Sequence, residues 1–485
     1  MDLLKFKTFM RKNYIFVLFV VSFLQTAFSQ NKTITVEEIY QGAFRTEGMD
    51  VLRSLKNGKQ YTVLNFDRNT RTTTIDKYDY STLQKVETIV SSSYLKDVNY
   101  FSSYEFNKDE SKIILATDLE SIYRHSTLGI YFIYDIASKQ VIKIAEDKIQ
   151  EPSLSPDGKQ VAYVKDNNIF LFHIASKETK QITTDGKKNG VINGVTDWVY
   201  EEEFAFVRAF EWNSNGTKIA FLRFDEANVP EFSMDVYGKA LYQTQEVFKY
   251  PKAGEENAKV SLHMFDVKSG KIAAVNLNNP YYIPRIKWMQ NANYLSVQTL
   301  NRHQNNLQLL AVNAKNNKVS VLLEEKDAAY VDITDDLTFL VDDSFIWTSE
   351  KDGWNHIYLY NYSGELVNQI TKGDWEVTSY YGYDQNEDKV YYQSTENGSI
   401  NRGVYSIESN GKNKKELSIK EGHNSADFSA DFTYYINTYS SATTPSKYTL
   451  HTPLSGKKVK DIKDNSALLA TLKEYKNIQV NNLPK

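Results

Sequence analysis

"SPDGKQVAYVKDNNIFLFHIASKETKQITTDGK", residues 155–187, decides the fold. Pro156, Asp157 and Gly158 are turn residues, and the chain that follows them is a short run rich in Val, Tyr and Phe, a polar break, and a second such run ending in basic, polar residues. That is the pattern of a β-hairpin, not of a helix. The same order of turn, lysine and apolar strand returns in "NSNGTKIAFLRF" at 213, "NKDESKIILAT" at 107 and "DQNEDKVYYQST" at 384. One structural unit is being used several times.

A propeller blade of four strands needs roughly fifty residues, so a chain of 485 has room for seven or eight. The fold class expected is all-β, a β-propeller of seven or eight blades, preceded by a short helix over "VEEIYQGAF" at 36–44. A pair of β-sandwiches is the competing architecture, but sandwiches rarely repeat one turn-strand signature this often. The 34 Tyr and 25 Phe suit half-buried pleated surfaces, and only 9 prolines interrupt them. A propeller encloses a central channel, which polar residues on inner strands or loops would line. The tryptophans of "DGWNH" at 352 and "GDWEV" at 373 are expected to be buried at strand-end turns.

Residues 1–29 read as an export signal: Lys5, Lys7, Arg11 and Lys12 precede the apolar run "YIFVLFVVSFL", and Ala27 and Ser29 are placed for cleavage. An uncleaved anchor is the alternative reading. Either way the protein is expected to be exported, to a periplasmic, cell-surface or extracellular location. The chain has no cysteine, so packing alone must hold the exported fold. Its net charge of -4, from 57 basic and 61 acidic residues, gives no nucleic-acid footprint. The seven histidines include no pair at metal spacing, and neither a calcium loop nor a zinc ligand set is present, so no metal or other cofactor is expected.

"DWVYEEEF", residues 197–204, places three carboxylates behind two aromatics. An acidic triplet on its own is a solvated turn more often than not. Here the flanks "GVTDWVY" and "AFVRAFEW" are dense in aromatics, and apolar spacing through 201–212 fits one or two helical turns. A short helix holding adjacent glutamates against aromatic walls makes a partly dry anionic site. The cation that suits it is an ammonium. A free peptide amino terminus is largely protonated at neutral pH and carries three donors for two carboxylates to share.

"NGVTDWVYEEEF", "NSNGTKIAFLRFDEANVPEF" and "YPKAGEENAKV", in this order and spacing, resemble the dipeptidyl peptidase IV family of exported serine peptidases. The likeness extends to "SIYRHSTLGIYFIYDI" near 121, "HIYLY" and "ITKGDWEV" after 356, and "DNSALLATL" at 464. The resemblance implies an eight-bladed β-propeller, the count expected here, joined to an α/β-hydrolase domain, and removal of dipeptides with Pro or Ala second from free amino termini. It further implies that Glu202 and Glu203 grip the substrate ammonium and that Arg124 bonds a substrate carbonyl. A family aromatic beside the substrate on a later blade has no clear counterpart in "DAAYVDITDD", 327–336, and stays unassigned.

Such peptidases need a serine at a Gly-x-Ser-x-Gly elbow, with Asp and His after it, and residues 1–485 contain no such motif. The expected organisation is a signal peptide at 1–29, the propeller at 30–465, and at 466–485 a linker toward a hydrolase domain absent from this chain, which alone would not cut peptides. The arm "EFSMDVYGKALYQTQEVFKYPKAGEEN", 231–257, is either a long hairpin or a homodimer contact, since in the resembling family it reaches toward a partner subunit. A stand-alone propeller that binds peptides or proteins without catalysis is the alternative, and dipeptidyl against tripeptidyl release is left open.

Overall fold

The computed structural model describes residues 32–419 and 421–475; the export segment at 1–29 and the end of the proposed linker lie outside them. Eight antiparallel sheets of four or five strands follow one another along the chain, each made of consecutive strands except the fourth, into which a separate two-stranded hairpin is inserted. Blade 1 covers residues 52–91, blade 2 103–143, blade 3 150–181, blade 4 191–275, blade 5 282–326, blade 6 338–369, blade 7 377–416 and blade 8 423–463. The count is eight, not seven.

The recurring turn of the sequence joins the first strand of a blade to the second. In blade 3 the turn lies between Gln150–Leu154 and Gln160–Lys165, and Ser155 Oγ and Asp157 both accept the Lys159 N–H, at 3.2 Å each. One residue in each such turn is left-handed: Gly158 with φ 64°, Gly216 with φ 68°, Glu110 with φ 58° and Asp388 with φ 50°. A conformation shared by glycine and non-glycine residues explains why the repeat is visible in sequence yet irregular.

Sheets stacked on both sides bury both faces of their middle strands. Phe345–Ser349 of blade 6 and Gly403–Ile407 of blade 7 are buried at every residue, whereas the outer strand Glu178–Gln181 of blade 3 is exposed throughout. Apolar clusters fill the gaps between blades: Ile75, Val90, Leu115 and Phe132 between blades 1 and 2, and Ile114, Ile133, Val161 and Phe172 between blades 2 and 3. Tyr61, Val63, Tyr80, Ile436 and Leu450 join blade 8 to blade 1 and close the ring. Among the described residues no main-chain hydrogen bond crosses this seam between the two sheets. Side chains cross it instead, Ser54 Oγ accepting from Ala430 N at 2.9 Å and Lys460 Nζ donating to Thr82 O at 3.0 Å.

First strands gather around the axis. Arg208, at the entry to the inner strand of blade 4, reaches Glu105 of blade 2 at 3.2 Å and Glu151 of blade 3 at 3.3 Å, and Arg285 of blade 5 pairs with Asp335 ahead of blade 6. Charged residues therefore line the channel, as the sequence suggested.

Helix α1, Val36–Tyr40, carries a capping box between Thr35 and Glu38, in the segment read as helical. Helix α3, Ser466–Leu472, follows blade 8. The two ends of the described chain meet, Lys32 N donating to Glu474 O at 2.8 Å. Contrary to the expectation that both would be buried, Trp375, stacked on Tyr392, is half-buried, and Trp354, in the turn between Phe345–Ser349 and His356–Tyr360, is 42% exposed.

Candidate functional site

The inner strand of blade 4 is in two pieces. Val191–Asn193 and Phe210–Trp212 both pair with the strand Lys218–Asp225, and residues 194–209 loop out between them. The neck of this insertion is closed by the bridge between Val195 and Arg208 and by Ala209 N donating to Gly194 O at 2.9 Å. Gly194 has φ 80°, and a Cβ there would lie 2.7 Å from Ile169 Cγ1, so no other residue fits without displacement.

Helix α2, Trp198–Glu203, occupies the insertion. Asp197 caps it by accepting the Tyr200 N–H at 3.0 Å, and Ala205, with φ 55°, stops it. The helix thus begins and ends earlier than the apolar spacing of 201–212 suggests, because Phe206–Trp212 must return to the strand. Tyr200, 1% exposed, accepts the Ile283 N–H of blade 5 at 3.0 Å, which ties the far side of α2 to the next sheet.

Consecutive helical residues point about 100° apart, so the three glutamates diverge. Glu201 is buried at 1% exposure, and its Oε1 accepts the His125 and Ser126 N–H groups at 2.7 and 2.9 Å. Glu202 Oε2 pairs with Arg124 Nε at 2.8 Å, the Glu202 side chain 17% exposed and that of Arg124 72%. Glu203 is exposed and makes no ion pair among the described residues. Arg124 lies in the turn between the blade 2 strands Lys112–Ser121 and Thr127–Asp135. Helix and turn therefore meet across blade 3.

Two adjoining cavities flank α2. One of about 800 Å³ lies between Arg124, Glu202 and the root of the hairpin Glu231–Val236/Thr244–Lys249, with Phe232, Met234 and Phe248 on its wall. The other, about 430 Å³, holds Glu203, Arg302, Tyr330 and Asp332. Trp198 and Tyr250, with ring centroids 4.4 Å apart, line both. Tyr330 belongs to the segment in which no aromatic was assigned from sequence. That segment forms no strand, so period and register gave no sign of where its side chains lie.

A third cavity, about 430 Å³, sits beneath α2 and holds Asp197, Glu201, Glu226 and Lys249. Burial lifts Asp197 to about 6, against the pull of its backbone hydrogen bonds. Burial, reinforced by the nearby Asp197 and opposed by Lys249, lifts Glu226 to about 7. What the arrangement offers chemically is a carboxylate with no partner, a second with one oxygen still free, and an exposed guanidinium beside them. Such a set has the charge and the donors to suit an ammonium and an adjacent carbonyl.

A family model described as the dipeptidyl peptidase IV N-terminal region matches residues 107–446. Dipeptidyl peptidase 4 of Trichophyton rubrum is 31% identical over 402 residues, which cover 78% of this chain and 51% of that protein. The probable dipeptidyl peptidase 4 of Aspergillus fumigatus is 31% identical over 399 residues, covering 77% and 51%. The crystal structure of Porphyromonas gingivalis dipeptidyl peptidase 4 aligns with a TM-score of 0.86 at 39% identity, over 92% of this chain and 64% of that one. A putative dipeptidyl aminopeptidase IV from Bacteroides ovatus shares the fold, with a TM-score of 0.68 at 22% identity. The chain spans about half the length of the curated relatives it matches.

Proposed function

The chain belongs to the dipeptidyl peptidase IV family, matching its N-terminal propeller region, and on that premise we propose that it docks and gates peptides for an exported serine exopeptidase that releases N-terminal dipeptides with Pro or Ala second. Glu202 and Glu203 take the substrate's terminal ammonium, Arg124 its first carbonyl, and Tyr330 the flank of the bound residues. The observation that carries this reading is the Glu202–Arg124 pair at 2.8 Å beside the unpaired Glu203, at the junction of two cavities.

Extended backbone advances about 3.3 to 3.6 Å per residue, so a fixed span from these carboxylates to a nucleophile would admit one length of leaving fragment. An internal chain segment has no ammonium to offer, and carboxylates screened from water without a partner are costly. Hydrolysis belongs to an α/β-hydrolase part, whose serine elbow is absent from residues 1–485. Export rests on the sequence of residues 1–29.

The test measures binding of a short Ala-Pro-led peptide to the full chain, with its amino terminus free or acetylated. Preference for the free amine is expected, and Glu202→Gln or Glu203→Gln should each weaken it about tenfold or more, as expected for losing one charge-assisted bond. Equal binding of both peptides would sink the reading.

The arm favours a second role beside the first. Its strands Glu231–Val236 and Thr244–Lys249 form a separate sheet, and Tyr237, Leu241 and Tyr242 at its tip are 80, 91 and 78% exposed. Apolar side chains standing this far from a core suit a homodimer contact through residues 231–257. Light scattering of the full chain and of a chain lacking residues 232–248 decides it, because an unchanged mass removes the arm's role.

A further inference from the structure

Glu201 is the one member of the triplet that peptide docking leaves without a task, yet it is the most buried of the three, at 1% exposure. Its Oε1 receives the N–H groups of His125 and Ser126, at 2.7 and 2.9 Å. Neither N–H has another acceptor among the described residues. The turn they belong to is closed on itself, Ile122 N donating to Ser126 O at 2.9 Å and Tyr123 N to Ser126 Oγ at 3.2 Å, so holding these two groups holds the whole turn. Arg124 lies immediately before them. Its own side chain is 72% exposed, so little besides the backbone beneath it and the bond to Glu202 fixes where the guanidinium stands.

We infer that Glu201 is a positioning residue, which clamps the blade 2 turn to α2 and thereby sets the guanidinium of Arg124 in register with Glu202 and Glu203. The inference rests on the docking reading of those three residues. A carboxylate suits the task because a single charged oxygen accepts two N–H groups more strongly than a neutral acceptor does. The far side of α2 is held independently by the Tyr200–Ile283 bond at 3.0 Å. Loss of Glu201 therefore releases the turn and leaves the helix in place. The cost should appear only in binding that passes through Arg124.

The experiment is a double-mutant cycle on the full chain, using the Ala-Pro-led peptide with a free amino terminus and Glu201→Ala, Glu201→Gln, Arg124→Ala and the two doubles. Glu201→Ala should weaken binding about tenfold in the wild-type background and less than about twofold once Arg124 is removed. Glu201→Gln, whose amide oxygen can accept the same two N–H groups, should recover most of the loss. Equal losses in both backgrounds would mean that Glu201 merely stabilises the fold, and would overturn the inference.

Amide exchange supplies a readout that needs no peptide. His125 and Ser126 should exchange faster in Glu201→Gln, and faster again in Glu201→Ala if that variant folds, while Tyr200 stays protected. Unchanged exchange at 125 and 126 would also overturn the inference. If the wild-type chain shows no preference for the free amine, the docking reading fails and amide exchange alone judges the clamp. If the preference is present but the cycle is additive, only the clamp fails.

Discussion

Glu226 is 7% exposed beneath the arm, and no side chain or main-chain donor reaches its carboxylate among the described residues. With Glu226 lifted to about 7 and Asp197 to about 6, the fold favours the neutral acid at both positions. Unfolded carboxyls titrate near 4, so the folded chain holds extra protons between that pH and the raised values. Stability contributed by these groups is full at low pH and falls as pH rises through about 6 and 7. Glu226→Gln cannot ionise, and its stability relative to wild type should rise between pH 5 and pH 8 by on the order of 1 to 3 kcal/mol. Denaturant melts at the two pH values check this, and a difference that does not change with pH would refute it. At this scale the sequence was legible in part. Resemblance marked Arg124, Glu202 and Glu203, and the structure brings Arg124 onto Glu202. Glu201 was left without a role, although helical geometry alone requires that three consecutive acids face three ways.

Among the elements, the insertion that carries α2 depends on its neck. Gly194→Ala would force a left-handed residue and a Cβ into Ile169, at an expected cost of about 1 to 3 kcal/mol. Because α2 hangs from that neck, free-amine peptide binding should weaken together with the melting temperature, and a variant that melts lower but binds normally would show that the neck does not govern the site. Second strands of blades were readable from sequence because a turn and a lysine announce them, as at Lys112, Lys159 and Lys218. The halves of the inner strand of blade 4 were not. Each is three residues long, and Val191–Asn193 is a strand only by pairing across the whole insertion with the end of Lys218–Asp225, while Phe210–Trp212 lies just ahead of the recurring turn and is too short to show a period. The helix start at Trp198 follows from the Asp197 cap, and its end from the left-handed Ala205, a conformation that alanine does not advertise.

For the whole molecule, the ring is closed by the apolar seam between blades 8 and 1. Leu450 is fully buried there, and Leu450→Ala should cost about 2 to 5 kcal/mol. Exchange protection should fall first in blades 1 and 8, with blades 3 to 6, whose shared core includes Leu171, Phe221, Leu309 and Trp347, affected last. Uniform loss around the ring would argue that the seam is no weaker than its counterparts. Length and repeat narrowed the blade count to seven or eight, and the family resemblance gave eight. The manner of closure did not, because no residue in the repeat marks whether a strand will be lent to its neighbour.

Some other junctions are stitched by the main chain, as where Gly129 of blade 2 and Ile149, just ahead of blade 3, exchange bonds of 2.9 and 3.0 Å, and where Asn193 N of blade 4 donates to Asn167 O at the edge of blade 3 at 3.0 Å. A barrel assembled from staves yields at its unpegged joints, and the seam between blades 8 and 1 is one of them. Dilation of the pore at that seam would leave its shape to the arc from blade 2 to blade 4, where main-chain bonds cross each junction and turn and helix are fastened together.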